Sequence, residues 1–142
     1  LIMGLAQQLT FWPDDFVAAL NGGGFRTLRF DNRDIGHSQK FEGRRAPNPM
    51  VQLAARLAGM RGLAPYSLED MARDTIGLLD ALEIGKADVV GVSMGGMIAQ
   101  VMAAKHPARV KGLAIIMSST NNPRLPRARA EIARALMAPP AN

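Results

Sequence analysis

The sequence contains no cysteine, which excludes disulfides, thiolate nucleophiles and thiolate metal ligands. No apolar run reaches the roughly 18 residues that predict a membrane-spanning helix. Aromatic residues are few as well, with five Phe, one Trp and one Tyr among 142 residues. A chain without cysteine suits a reducing compartment, so we expect a cytoplasmic protein with no membrane span.

The net charge of +5 reflects 17 Lys and Arg against 12 Asp and Glu. Basic residues concentrate in two stretches, Lys40, Arg44, Arg45, Arg56 and Arg61 in the first and Arg124, Arg127, Arg129 and Arg134 in the second. Neither stretch is interleaved with aromatic residues and no nucleic-acid-binding motif is present, so we expect solvated faces and no nucleic-acid partner. Only one acid, Glu131, follows Ser93, so a chain shorter than its parent protein would look more basic than that parent.

Apolar periodicity and turn residues predict alternating strands and helices. We expect a strand end at Leu1–Met3, a helix over Pro13–Leu20 with Thr10 as a possible cap, a strand over Phe25–Phe30, a short helical piece near Val51–Leu57, a helix opened by Ser67 and ended by Gly85, a strand over Ala87–Val92, a helix over Met94–Lys105, a strand over Val110–Met117 and an amphipathic helix over Arg127–Met137. The two later strands are continuous apolar runs, as in sheets that are buried on both faces. This order predicts an α/β fold, a parallel sheet with helices on both faces.

One short motif carries chemistry, Gly91-Val92-Ser93-Met94-Gly95, at the point where an apolar strand gives way to a helix. A serine on such a tight turn has a strained backbone, and its hydroxyl projects from the carboxyl edge of the sheet. The residues two before and two after it must be small because the strand and the helix pass close together. Gly91 and Gly95 meet that need, so the motif predicts a nucleophile elbow with Ser93 as the catalytic residue.

Two other interpretations of this motif remain open. A strand-to-helix turn can carry a serine incidentally, with no catalytic role. A phosphate or dinucleotide cradle is the second alternative, but Gly-x-Gly-x-x-Gly would need glycine at Ser93, and the lysine of a phosphate-binding loop is missing.

Three segments together resemble the α/β-hydrolase family, and more narrowly its esterase branch that includes the aclacinomycin methylesterase-like proteins. They are "LIMGLAQQLTFWPDDF", "FRTLRFDNRDIGHS" and "YSLEDMARDTIGLLDALEIGKADVVGVSMGGMIAQVMAAKHPARVKGLAIIMSST", in this order and spacing. The resemblance implies a parallel-sheet αβα sandwich that is incomplete at both ends of this chain. Residues 1–120 would form a partial hydrolase core, and residues 121–142 would begin the cap or lid region.

The resemblance also implies an oxyanion hole made of two backbone N–H groups. In the family, a loop after the third strand carries His-Gly and then a residue whose N–H points at the nucleophile. Met3-Gly4-Leu5 match that loop, so the donors would be the N–H groups of Leu5 and Met94. Met3 replaces the usual histidine, which removes any hydrogen bond by which that side chain braces the loop. Leu5 as an ordinary loop residue is the alternative.

A serine hydroxyl needs a base, and the chain has two histidines. His106 ends the helix that begins at the elbow, about 20 Å away at 1.5 Å per residue, so it is not the base and is expected to interact with the helix's last carbonyls. His37 precedes Ser93, against the Ser, Asp or Glu, His order of this fold, and is expected to be a surface or pocket-rim residue. Asp31 and Arg33 in the same loop are expected to hold the turn and to form a local ion pair.

The predicted function is therefore that of a serine hydrolase, whose parent protein cleaves a small-molecule carboxylic ester through an acyl-enzyme on Ser93. The acid and the histidine of the triad are expected outside residues 1–142, and this chain alone is expected to be inactive. No cofactor or metal is implied. Perhydrolase or thioesterase chemistry and a non-catalytic small-molecule binder are the alternatives. Four methionines, Met3, Met94, Met97 and Met117, suit either an adaptable apolar acyl pocket or simply the core.

Overall fold

A computed structural model describes residues 1–41 and 64–120, together with residues 122, 124, 125, 129 and 131. Its helices and strands, in chain order, are α1 (Asp14–Gly22), α2 (Leu68–Ala81), β1 (Ala87–Val92), α3 (Met94–Lys105) and β2 (Val110–Ile116). Short 3-10 turns occur at Leu9–Phe11 and Pro107–Arg109. The helix expected near Val51–Leu57 lies outside the described residues. So does most of the one over Arg127–Met137, and the boundary proposed at residue 120 stays a prediction.

Strand β1 lies at the centre of the described sheet. It pairs in parallel with β2, with Val92 opposite Ile116. On its other side Ile2 forms an isolated parallel bridge with Gly91. The Ile2 N–H donates to the Val90 carbonyl at 2.8 Å, and the Ile2 carbonyl accepts from the Val92 N–H at 3.1 Å. The expected parallel sheet, with Leu1–Met3 at the end of a strand, is thus confirmed.

The two faces of β1 are covered by different helices because successive side chains of a strand point to opposite faces. Val89, 5% exposed, packs in one apolar cluster with Leu79 of α2 and Met102 of α3. Val90 and Val92 pack instead on a second cluster that contains Val17 of α1. Helices therefore cover both faces, as the alternation predicted.

Local signals placed the beginning of α2 correctly. The Ser67 hydroxyl accepts from the Asp70 N–H at 3.2 Å, and the Asp70 carboxylate accepts from the Ser67 N–H at 2.8 Å. This reciprocal pair is a capping box. The predicted end at Gly85 was wrong, because α2 stops at Ala81 and Glu83 takes the left-handed conformation (φ 57°) that glycine was expected to supply. The first helix likewise has Pro13, not Thr10, at its N-cap.

The strand predicted over Phe25–Phe30 was wrong, since these residues are in no strand. A cavity of about 760 Å³ separates residues 25–28 from β1. The Leu1 nitrogen donates to the Leu28 carbonyl at 2.7 Å. A strand forms only when a neighbour completes its hydrogen-bond ladder, and the apolar and polar alternation of a sequence cannot specify that neighbour.

No helix among the described residues is both long enough and apolar enough to cross a bilayer.

Candidate active site

Ser93 occupies the turn between β1 and α3 in a strained conformation, φ 53° and ψ −120°. Non-glycine residues rarely adopt positive φ, and such strain persists only where the surroundings fix it. Here the Ser93 N–H donates to the Ile116 carbonyl at 2.9 Å, while its own carbonyl accepts from the Gly96 N–H at 3.0 Å. Hydrogen bonds on both sides thus hold the turn in place.

The Ser93 hydroxyl is exposed and makes no capping hydrogen bond, although the residue stands at the N-cap of α3. Serine at this position ordinarily accepts from a backbone N–H of the first turn. Ser93 makes no such bond to the first turn of α3. Its oxygen is therefore available for chemistry.

The flanking glycines are required by close contacts between backbones. A Cβ on Gly91 would collide with the Gly95 carbonyl, and a Cβ on Gly95 would collide with the Ile2 carbonyl. A Cβ on Gly96 would lie 2.5 Å from the Ser118 Cβ, under the 3.0 Å that real Cβ contacts essentially never show. These contacts leave no room for a side chain at Gly91 or Gly95, and their role in a nucleophile elbow stays a prediction.

The loop predicted to carry the second oxyanion donor lies against the elbow. A Cβ on Gly4 would lie 3.3 Å from the Ser93 Cβ and 3.5 Å from the Val92 carbonyl. Leu5 follows at once, with its side chain 72% exposed, and Ala6 beyond it has a positive φ of 57°. The assignment of the Leu5 N–H as a donor stays a prediction, with Gly4 bringing its chain segment alongside the serine.

The other predicted donor, the Met94 N–H, is in the first turn of α3. The first N–H groups of a helix lack an intrahelical acceptor and carry the positive end of the helix dipole. No acidic residue occupies this turn. The electrostatics at the Ser93 end of α3 therefore favour a developing negative charge.

Two residues of the "DNRDIGHS" loop brace the loop around Leu5, and sequence analysis missed this role. The Asn32 amide, 3% exposed, donates through Nδ2 to the Met3 carbonyl at 3.0 Å. The Asp31 carboxylate accepts from the Leu9 N–H at 2.7 Å and from the His37 N–H at 3.3 Å. A polar pair directly after a predicted strand was the available signal, but its partners lie 22 and 29 residues away.

Arg33 forms an ion pair, but not the local one that was expected. Its guanidinium donates to both carboxylate oxygens of Asp74 on α2, each at 2.6 Å, and stacks 4.8 Å from the Tyr66 ring centroid. The hydrogen bond to Asp74 raises the Arg33 pKa. Burial, and then a hydrogen bond to Asp34, raises the pKa of Tyr66 to about 12. The group ties the loop to α2.

His106 lies too far from Ser93 to act as its base. His106 follows α3, a helix of 12 residues, so it lies about 18 Å along the axis from the elbow. Its backbone N–H donates to the Met102 carbonyl at 2.7 Å. His37 is exposed, and its backbone N–H donates to the Asp31 carboxylate at 3.3 Å.

The methionines near the motif divide between core and surface. Met3 is 4% exposed in the apolar cluster that contains Val17, and Met94 is partly buried against the other cluster, which contains Met102. Met117 is 83% exposed, follows Ile116 directly and has a positive φ of 46°. Met117 thus follows the residue whose carbonyl accepts from the Ser93 N–H, and the exposed Leu5 follows Gly4, which packs near the Ser93 Cβ. Among the described residues, no group of three or more His, Asp or Glu side chains comes together to hold a metal.

Comparisons with known proteins agree with this geometry. Residues 1–138 match the family described as alpha/beta hydrolase fold. The chain is 31% identical over 117 residues to rhodomycin D methylesterase DauP of Streptomyces sp. (strain C5), covering 82% of this chain and 33% of that protein.

Two solved structures are similar as well. A hydrolase from Pseudomonas aeruginosa PA01 has a TM-score of 0.64 and 26% identity, covering 96% of this chain and 43% of that one. The enol-lactonase from Burkholderia xenovorans LB400 has a TM-score of 0.56 and 29% identity, covering 79% and 34%.

The chain thus spans about a third of the length of the methylesterase that it matches. The family match covers nearly all of its residues, and the fold and elbow described above are consistent with that match. The chain belongs to the alpha/beta hydrolase family.

Proposed function

We propose that the protein containing this chain hydrolyses a small-molecule carboxylic ester through an acyl-enzyme on Ser93. The observation that carries the proposal is the Ser93 hydroxyl, which is exposed and uncapped at φ 53° directly before a helix N-terminus. Strained turns of this kind cluster at functional sites, which supports a functional role for this serine.

The reaction follows from these positions. The Ser93 Oγ attacks the ester carbonyl carbon as a base takes its proton, and the carbonyl oxygen becomes an oxyanion beside the N–H groups of Leu5 and Met94. Collapse of this intermediate breaks the bond to the alkoxy oxygen, which leaves as an alcohol after receiving that proton. Water then attacks the acyl-serine in the same manner, releasing the carboxylic acid and restoring Ser93.

We assign the base and its acid to residues outside 1–142. Neither histidine of this chain suits the task, since His106 lies at the far end of α3 and His37 is exposed on a loop that precedes Ser93. On this assignment, residues 1–142 alone bind the oxyanion but show almost no turnover.

The substrate class is an ester with an apolar acyl or alcohol part. Leu5 and Met117 are exposed apolar residues that adjoin in the chain the residues in contact with Ser93, and Met adapts to irregular shapes. The methylesterase and enol-lactonase similarities support ester chemistry in general, since a lactone is a cyclic ester. A panel of oxoesters, thioesters and peracid-forming assays separates this proposal from thioesterase and perhydrolase activity.

The test compares two serines at helix N-caps in the full-length protein. Replacing Ser93→Ala should lower hydrolysis of p-nitrophenyl esters by about 10⁴-fold or more, as loss of a catalytic nucleophile does. Ser67→Ala, which removes a capping hydroxyl from α2, should leave turnover near the wild-type value. Wild-type turnover in Ser93→Ala would contradict the proposal, and ligand binding without turnover in the wild type would favour the non-catalytic binder.

A further inference from the structure

The chain from Met3 to Leu9 is held at both ends by adjacent side chains of one turn. Asn32 Nδ2 donates to the Met3 carbonyl at 3.0 Å, and the Leu9 N–H donates to the Asp31 carboxylate at 2.7 Å. The turn is itself fixed, because the Asn32 carbonyl accepts from the Ile35 N–H at 3.0 Å and the Asp31 carbonyl accepts from the Ser38 hydroxyl at 2.6 Å.

The Met3 carbonyl lies against the helix whose N-cap is Ser93. A Cβ on Gly95 would lie 2.7 Å from this oxygen, so the Met3 peptide packs against the first turn of α3. The Met3 carbonyl and the Gly4 N–H share one rigid peptide plane. Only the two backbone dihedrals of Gly4 separate that plane from the Leu5 N–H.

Gly4 is the flexible residue between the fixed Met3 carbonyl and the Leu5 N–H. Glycine has wide conformational freedom, so the residue does not by itself fix the direction of the Leu5 N–H. Its surroundings are tight on one side, with the Ser93 Cβ and the Gln7 Oε1 only 3.3 Å and 3.2 Å from where a Cβ would stand. A fixed Met3 carbonyl on the preceding peptide supplies the remaining restraint.

We propose that Asn32 is a positioning residue for the oxyanion hole, whose amide fixes the Met3 peptide and through it the Leu5 N–H. The inference rests on the proposed ester hydrolysis at Ser93. Asn32 is buried, and its amide donates directly to this peptide. It would thus brace the loop in place of the histidine that is usual at the position of Met3.

The expected effect lies in the transition state. A hydrogen-bond donor that points at the developing oxyanion raises kcat by about 10²–10³-fold. A donor that is displaced from this position retains only part of that rate enhancement. Asn32→Leu preserves the side chain's shape and removes its N–H. It should lower kcat by about 10- to 100-fold and leave KM within a few-fold of wild type.

The experiment measures kcat/KM in the full-length protein for an oxoester and its matched thionoester, in which sulfur replaces the carbonyl oxygen. Sulfur accepts hydrogen bonds poorly, so a working oxyanion hole favours the oxoester. In Asn32→Leu the oxoester-to-thionoester ratio should fall by about 10-fold. The ratio does not depend on the amount of folded enzyme in a sample. Thr75→Val is the matched control, since Thr75 is 5% exposed and its hydroxyl donates to the Met71 carbonyl within α2.

A reduced ratio in Asn32→Leu with a wild-type ratio in Thr75→Val supports the proposal, and an unchanged ratio in Asn32→Leu overturns it. If Asn32→Leu yields no folded enzyme, Asn32→Ser, whose hydroxyl is too short to reach Met3, is interpreted in the same way. Ser93→Ala separates the two claims. If it retains hydrolysis, the proposed function fails. If it is inactive while the Asn32→Leu ratio is unchanged, only the positioning role fails.

Discussion

Two helices in the described part of the chain have a serine at the N-cap, and the two serines differ in conformation and in hydrogen bonding. Ser67 has ordinary extended geometry (φ −103°, ψ 168°) and closes a capping box with Asp70. Ser93 has strained geometry (φ 53°, ψ −120°) and makes no cap. The same residue type at the same helix position is thus structural in α2 and free to react at α3, and backbone conformation makes the difference.

The difference originates in the neighbouring backbones. The N-terminus of α2 follows a loop, so Ser67 can take its preferred conformation. The N-terminus of α3 follows a central strand. The backbones of Gly91, Gly95 and Ile2 approach so closely there that they restrict the conformation of the turn at Ser93. The N-terminus of α3 therefore lacks the stabilising side-chain capping bond that α2 has, and Ser93 is left exposed.

The largest expected loss of stability comes from a side chain added at Gly95. Gly95→Ala should cost more than about 3 kcal/mol, because the new Cβ meets the Ile2 and Met3 carbonyls and backbone cannot move aside cheaply. Chemical unfolding and soluble yield of the full-length protein measure it.

Gly77→Ala within α2 is the control for Gly95→Ala, since nothing lies within 4 Å of its Cβ position. Alanine there should stabilise by about 0.5–1 kcal/mol through helix propensity. Equal effects of the two substitutions would contradict the close approach at the elbow.

Removing the cap of α2 should have a smaller effect. Ser67→Ala leaves the Asp70 N–H without its acceptor and should lower the free energy of unfolding by about 1 kcal/mol. Denaturant titration measures the change. A Ser67→Ala protein as stable as wild type would mean that the capping box adds nothing to the free energy of unfolding. It would contradict the structural role given to Ser67.

The smallest expected effect is a dependence of the α2 cap on pH. Hydrogen bonds from the Ser67 N–H and then from its hydroxyl lower the pKa of Asp70 below its ordinary 3.8. The folded state therefore favours the carboxylate, and its stabilisation is present above the unfolded pKa of about 3.9 and lost as pH falls through the lower folded pKa.

Asp34 has a lowered pKa as well, mainly through the Phe41 N–H, so the contribution of Asp70 must be isolated by difference. The stability difference between wild type and Asp70→Asn should be largest near pH 6 and should shrink as pH falls below about 4. Unfolding midpoints across that range measure it. A difference that stays constant with pH would contradict the charged cap.

The sequence was sufficient for features that depend on nearby residues. The Ser67 cap and the strand-to-helix turn at Ser93 each follow from short patterns. These patterns succeed because caps, tight turns and apolar runs are decided within a few residues.

Features that depend on distant partners escaped prediction. The Asn32 bond to Met3 spans 29 residues and the Arg33 bond to Asp74 spans 41. The apolar strand β2 looks built for burial on both faces, yet Leu113 and Ile115 are 40% and 42% exposed. Burial depends on the neighbours that tertiary structure brings, and those are not visible in a local pattern.

The central claim is that Ser93 is the nucleophile, and trapping the covalent adduct tests it most directly. Trypsin releases residues 87–105 after Lys86 and Lys105, and Ser93 is the only hydroxyl-bearing residue in that peptide. After the full-length protein reacts with a fluorophosphonate, mass spectrometry should find one adduct, on this peptide. An adduct confined to any other peptide, with residues 87–105 unmodified, would contradict the account.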